Sequence, residues 1–147
     1  MRFADFHAGQ VIRVGPVTVG EDEILAFARQ HDPQWFHVDP DKAQAGRWKG
    51  LIASGWHTCC IAMRMVVDGV LADSESFASP GLNYLKWLAP VRPGDRLRLE
   101  VHVIEAKLSS SGSTGSTRWR WDLFNQDEIK VLETEAVNLF ELKARDA

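Results

Sequence analysis

Cysteine is scarce in this sequence: there are two, and they are neighbours, Cys59 and Cys60. Adjacent thiols rarely bridge each other and cannot build a disulfide framework, so reduced thiols and a cytoplasmic location are expected. No apolar run approaches the roughly 18 residues needed to cross a bilayer. The first ten residues, Met1 to Gln10, hold Asp5 and His7 without an apolar core, so they do not read as a secretory signal. Basic residues are neither abundant nor clustered, with 17 Lys and Arg against 20 Asp and Glu, a net charge of −3 and a pI of about 5.9. That balance argues against nucleic acid or an anionic membrane as partner, although local basic groups can still meet a phosphorylated ligand. There is no internal repeat and no linker long enough to divide the chain, so residues 1–147 are expected to form one domain.

Hydrophobic residues make up 45% of the chain, enough for a sizeable core. Val11-Ile12-Arg13-Val14 reads as a short strand closed by Gly15-Pro16. Thr18-Val19-Gly20-Glu21 has the form of a capping box, and Ile24, Leu25, Phe27 and Ala28 then recur at helical spacing up to about His31. Asp32 to His37 follows as a turn, and Asp39-Pro40 offers an N-cap and a first-turn proline for a short helix through Ala45. After the loop Gly46–Gly50, Ser54-Gly55 opens a helix from Trp56 to about Val67, ended by Asp68-Gly69. That helix is apolar on nearly all sides and therefore has to be enclosed by other structure; Arg64 and Asp68 are spaced to pair along it. The second half is strand-like over Gly81 to Val91, Arg96 to Ala106, Thr117 to Asn125 and Ile129 to Leu142, with Ser109 to Ser116 as a hairpin tip. One enclosed helix followed by long antiparallel strands predicts an α+β fold with the helix packed on one face of a sheet.

The densest cluster of ionisable groups is His31-Asp32-Pro33-Gln34-Trp35-Phe36-His37-Val38-Asp39. A carboxylate beside an imidazole suits proton transfer to and from a water molecule: the Asp orients the water or donates, and the His switches between base and acid near neutral pH. Trp35 and Phe36 can keep bulk solvent away. On spacing alone, helix-cap and surface roles come first for the same residues, ahead of catalysis and then metal binding. A second feature is Ile52-Ala53-Ser54-Gly55-Trp56, where the free amides at the start of a buried helix can hold developing negative charge and Gly55 leaves room for a carbonyl oxygen. The plain alternative is that Ser54 caps the helix and Gly55 allows close packing.

Together these features resemble a known pattern. Phe27-Ala28, Asp32-x4-His37-x-Asp39, Ala43 and Gly50-Leu51-Ile52-Ala53-Ser54-Gly55 look like the hydratase signature of the MaoC-like dehydratases, a family that includes the (R)-specific enoyl-CoA hydratases. Trp87-Leu88-Ala89-Pro90-Val91-Arg92-Pro93-Gly94-Asp95 and Asn125-Gln126-Asp127-Glu128 resemble that family's later strand, turn and hairpin. The resemblance implies a hotdog fold, a long central helix wrapped by a curved antiparallel sheet, usually as a homodimer. It implies that Asp32 and His37 are catalytic, activating water for addition to a trans-2-enoyl-CoA, or removing it from a 3-hydroxyacyl-CoA. It also makes the Gly55 amide the donor to the thioester carbonyl. The thioester, carried by coenzyme A or acyl carrier protein, is then the substrate, and no further cofactor or metal is implied.

The sequence departs from that pattern at Gln34 and Trp35, where Asn and Pro are usual, at Ser54, where His is usual, and at Trp56 and His57 after the helix glycine. These departures suggest an altered substrate pocket in which Ser54, Trp35, Trp56 and His57 meet the substrate, with Trp35 and Trp56 narrowing the acyl site. A thioesterase of the same fold commonly has an acidic residue on the central helix, and Trp56 to Val67 contains none. The remaining alternatives are a non-catalytic thioester-binding subunit and a metal site built from His31, Asp32, His37 and His57.

Overall fold

The computed structural model describes residues 1–142. A 3-10 turn at Phe3–Asp5 leads into β1 (Val11–Thr18), α1 (Glu21–His31), the single turn α2 (Trp35–Val38) and α3 (Pro40–Ala45). The long helix α4 (Gly55–Val66) widens into a π-helical turn at Val67–Leu71, and β2 (Ser76–Trp87), β3 (Arg96–Leu108), β4 (Thr114–Phe124) and β5 (Lys130–Glu141) follow. The five strands form one antiparallel sheet in the order β1-β3-β4-β5-β2. The sheet curves around α4, which is the α+β hotdog arrangement implied by the resemblance.

Alternation along the strands explains the packing. Leu97, Leu99, Val101 and Val103 of β3, Trp119, Trp121 and Leu123 of β4, and Ala136 and Phe140 of β5 point inward and are buried with Ala62, Met65 and Val66 of α4. On β3 and β4 the residues between them, Arg98, Glu100, His102, Arg120 and Asp122, point to the other face and are ionisable. There Asp122 is almost fully buried, yet it accepts from Arg120 at 3.1 Å and lies 3.3 Å from Lys130 Nζ and 3.4 Å from His102 Nε2. A carboxylate so far from water persists only where cations replace the lost hydration.

Several local features differ from the sequence expectations, each for a visible reason. β1 runs on through Gly15-Pro16, because the ladder skips there: Val14 pairs with Leu99 and Val17 with Leu97. β1 is an edge strand, where a proline's missing N–H costs nothing. Thr18 is paired with Arg96 in the sheet, so it cannot cap α1; Gly20 is the N-cap, and its amide donates to Glu23 Oε2 at 3.4 Å. Asp39 caps α3 as expected, its Oδ1 accepting from the Lys42 amide at 3.0 Å, and Arg64 pairs with Asp68 at 2.7 Å. Strand β2 begins at Ser76 instead of Gly81; its pairing with β5 shifts register three times, which erases the period-two signal.

The largest correction concerns α4. Within this chain the helix is enclosed on one side only. Trp56, Cys60, Met63 and Val67, spaced so that they share one face, remain exposed, as do Phe77 and Leu82 on the neighbouring edge strand β2.

The packing ranks two substitutions. Leu99→Ala, at a fully buried position, is expected to lower unfolding stability by about 2–5 kcal/mol. Arg64→Ala, which breaks an exposed pair, is expected to leave the denaturation midpoint essentially in place. Urea titrations followed by tryptophan fluorescence measure both.

Candidate active site

The end of α1, the turn α2 and the start of α4 meet at one point. Asp32 is the C-cap of α1, where its amide donates to the Ala28 carbonyl at 2.8 Å. The chain leaves the helix there because Pro33 disfavours helical backbone in the residue before it. Three residues on, α2 turns His37 back toward the core, and its ring is buried. His37 Nδ1 faces the Ile52 carbonyl oxygen at 2.7 Å. A carbonyl oxygen can only accept, so Nδ1 carries the proton and Nε2 of the neutral ring is left with a lone pair. That Nε2 lies 3.3 Å from Asp32 Oδ2.

Two donors organise the carboxylate. The Ser54 hydroxyl donates to Asp32 Oδ2 at 2.7 Å, and the Gln34 side-chain amide donates to Oδ1 at 2.8 Å. Ser54 is fully buried and stands at the N-cap position of α4, but its hydroxyl reaches Asp32 instead of a helix amide. Burial pushes the Asp32 carboxyl up; the hydrogen bonds from Gln34 and Ser54, together with His37, outweigh this and hold it below the ordinary value of 3.8. Asp32 therefore stays ionised at neutral pH. Where the imidazole is neutral, the ionised carboxylate and the Nε2 lone pair face each other, two acceptors that a water molecule can satisfy with its protons; where it is protonated, Nε2–H donates to Asp32.

Both groups open onto an apolar cavity of about 470 Å³ whose walls include Phe36, Trp48, Trp56 and Trp87. Gly55 lines the same cavity at the first turn of α4, where the leading amides have no partner within the helix. A side chain at Gly55 has no room, since a Cβ there would sit 2.6 Å from the Trp87 ring. The Trp87 indole N–H donates to the Gly55 carbonyl at 2.9 Å and so clamps the start of the helix.

The expected site residues thus separate into two groups. Asp32, His37, Ser54, Gly55 and Trp56 come together. Trp35 is turned away: its ring lies against Gly46, beneath Lys42 at 5.7 Å. His57 is buried on another flank of α4, stacked on Phe27 with ring centroids 4.8 Å apart, and it lines a separate cavity with Val14, Glu23 and Met65. Burial pushes its imidazole pKa down, against the opposing pull of Glu23. His31 packs its ring against Phe27 at 4.9 Å, and the described residues contain no group of three or more His, Cys, Asp or Glu arranged to hold a metal. Trp48 and Trp87 were not singled out as pocket residues from sequence; both lie in segments with no clear periodicity around them.

Because the Asp32 carboxyl sits lower in the folded chain than in the unfolded one, its ionised form stabilises the fold above the ordinary carboxylate range. That contribution is lost as pH falls through the lowered value. Melting temperatures recorded down to pH about 3 are expected to fall less steeply on the acid side for Asp32→Asn than for the unaltered chain.

Comparison with known proteins bears on the family and the fold. Residues 3–119 match the sequence model of the MaoC like domain. The uncharacterized protein YdeM of Bacillus subtilis is 33% identical over 92% of this chain and 95% of its own length. The 3-hydroxyacyl-thioester dehydratase Z of Mycobacterium tuberculosis is 31% identical over 78% of this chain and 79% of its own. The crystal structure of the MaoC-like dehydratase from Rhodospirillum rubrum superimposes with a TM-score of 0.86 at 32% identity, covering 96% of this chain and 97% of that one. With a family match over residues 3–119 and a likeness extending over nearly the whole fold, the chain belongs to the MaoC-like family of hydratases and dehydratases.

Proposed function

We propose that the protein is a hydro-lyase that adds water to a trans-2-enoyl thioester, or removes it from the 3-hydroxyacyl thioester, with Asp32 and His37 as the catalytic pair. The observation that carries this reading is the convergence of the Asp32 carboxylate and His37 Nε2, 3.3 Å apart, beside the free amides of α4 in an apolar cavity. In the hydration direction, Asp32 and His37 hold one water. His37 Nε2 takes a proton from it as the water oxygen bonds to the β-carbon of the enoyl group. The electrons of the double bond move toward the thioester carbonyl, whose oxygen is held by the Gly55 amide and the dipole of α4. The imidazolium, stabilised by the ionised Asp32, then returns the proton to the α-carbon. No redox step or external group is needed, and proton and electron pairs balance.

The substrate in this reading is a thioester of coenzyme A or acyl carrier protein. We also propose that residues 1–147 act as one domain and assemble as a homodimer. The exposed apolar face formed by Trp56, Met63 and Val67 of α4 with Phe77 and Leu82 of β2 supports this, since a second copy would remove it from water. A thioesterase is the less favoured activity, because α4 presents no carboxylate to the cavity.

Purified protein is expected to abolish the ultraviolet absorbance of an enoyl-CoA double bond without releasing free thiol. His37→Ala and Asp32→Asn are each expected to lower turnover by roughly 10²–10⁴ while the protein stays folded. Full activity in either variant would contradict the assigned roles. Ser54→Ala removes a donor to the carboxylate, so the Asp32 pKa should rise toward the ordinary value, which a carboxyl-carbon NMR titration of Asp32 in the two proteins measures.

A further inference from the structure

A serine at the N-cap of a helix ordinarily accepts from the amide of the second or third helical residue, which in α4 are Trp56 and His57. Ser54 makes no such cap bond; its hydroxyl donates to Asp32 Oδ2 at 2.7 Å instead. The leading amides of α4 are therefore uncapped, and among the described residues neither Gly55 nor Trp56 has an acceptor for its N–H. Both residues line the cavity of Asp32 and His37, whereas His57 lines the cavity on the other flank. Two amides, not one, are free at the site of chemistry.

The second of them is held from behind. The Gly55 carbonyl and the Trp56 N–H are opposite ends of one planar peptide unit, so fixing the oxygen fixes the direction of the hydrogen. That oxygen accepts from the Trp87 indole N–H at 2.9 Å. A carbonyl oxygen has two lone pairs, and within the helix the other meets the amide four residues on, that of Cys59. Trp87 is well anchored: it pairs with Leu132 at the end of β2, and the next amide, that of Leu88, donates to the Val131 carbonyl at 2.9 Å. Its ring reaches the helix only because position 55 has no Cβ, which would lie 2.6 Å from Cε2. The bond thus ties the first turn of α4 to the sheet. A carbonyl that accepts a hydrogen bond also polarises its own peptide, so the N–H at the far end becomes a stronger donor.

We propose that Trp87 is a positioning residue for the hydration reaction: by holding the Gly55–Trp56 peptide, it aims and strengthens the Trp56 amide as a second donor, beside that of Gly55, to the thioester oxygen. This rests on the hydratase reading and adds to it a residue that acts through the backbone. As water adds to the β-carbon, the electrons of the double bond move toward the thioester oxygen, whose lone pairs can take two donors. A donor fixed before the substrate arrives undergoes no reorganisation when that charge appears. The bond from Trp87 therefore counts in the transition state more than in binding.

The experiment uses Trp87→Phe, which keeps an aromatic ring and loses the N–H, and reads two quantities. With crotonyl-CoA, kcat is expected to fall about tenfold, the size of one hydrogen bond, with KM little changed. The second probe is butyryl-CoA labelled with carbon-13 at the thioester carbonyl, which has no double bond to hydrate. Its bound carbonyl stretch in the infrared is expected to lie below the free value in the unaltered protein and to return part of the way in the variant. A role confined to packing would leave that frequency where it was. Trp87→Leu serves in place of the phenylalanine variant if the latter loses its cooperative melting transition. A carbonyl frequency or a kcat unmoved by the substitution overturns the proposal, as does a bound carbonyl already at its free frequency in the unaltered protein. Absence of turnover on every enoyl-CoA overturns the hydratase reading instead, while the carbonyl frequency still decides what Trp87 does.

Discussion

The hydrogen bond from the Ser54 hydroxyl to the Asp32 carboxylate ties together the parts of the molecule on which everything else depends. It joins the C-cap of the first helix to the N-cap of the central one, across 22 positions of sequence. It is fully buried at the Ser54 end, where the hydroxyl cannot exchange it for water. Such a bond is expensive to leave unmade, so it fixes the relative placement of α1 and α4 to within hydrogen-bonding tolerance. His37 is then located by a second bond, to the carbonyl of Ile52, two residues before Ser54. Carboxylate, imidazole and helix amides are thereby referred to one short stretch of backbone.

This arrangement also divides the labour between the two ionisable groups. The carboxylate is surrounded by donors that favour its charged form, so it is suited to holding and compensating charge. The imidazole is fixed through the nitrogen that does not face the cavity, so the other remains free to gain and lose a proton. Residue type alone suggests what each group can do, but not which protonation state it holds. That state follows from what occupies the far side of the group.

The sequence made the fold and the pair itself legible, and it did so for a local reason. Asp32 and His37 lie within one turn-like segment, and the strands of the second half alternate cleanly in β3 and β4. Rotational phase was less legible. Successive helical residues point about 100° apart, so Trp56 and His57, adjacent in sequence, face different cavities. The same holds for Trp35 and Phe36: α2 is a single turn, too short to display a periodicity, and only Phe36 meets the cavity. Ser54 was read as a possible helix cap because a hydroxyl at that position has two acceptable partners, and only the tertiary fold brings the carboxylate within reach. Trp87 was hidden because it ends β2, 32 positions from Gly55 in sequence, and only the tertiary fold lays its ring against the start of α4.

The contact between Gly55 and the Trp87 ring carries a consequence for how such a chain can change over time. The two positions fill one volume from opposite sides, so bulk gained at either has to be surrendered at the other. A drift toward alanine at position 55 would be blocked while the indole remains, and the indole's departure would release the helix carbonyl it holds. The pair is therefore expected to be inherited as a unit.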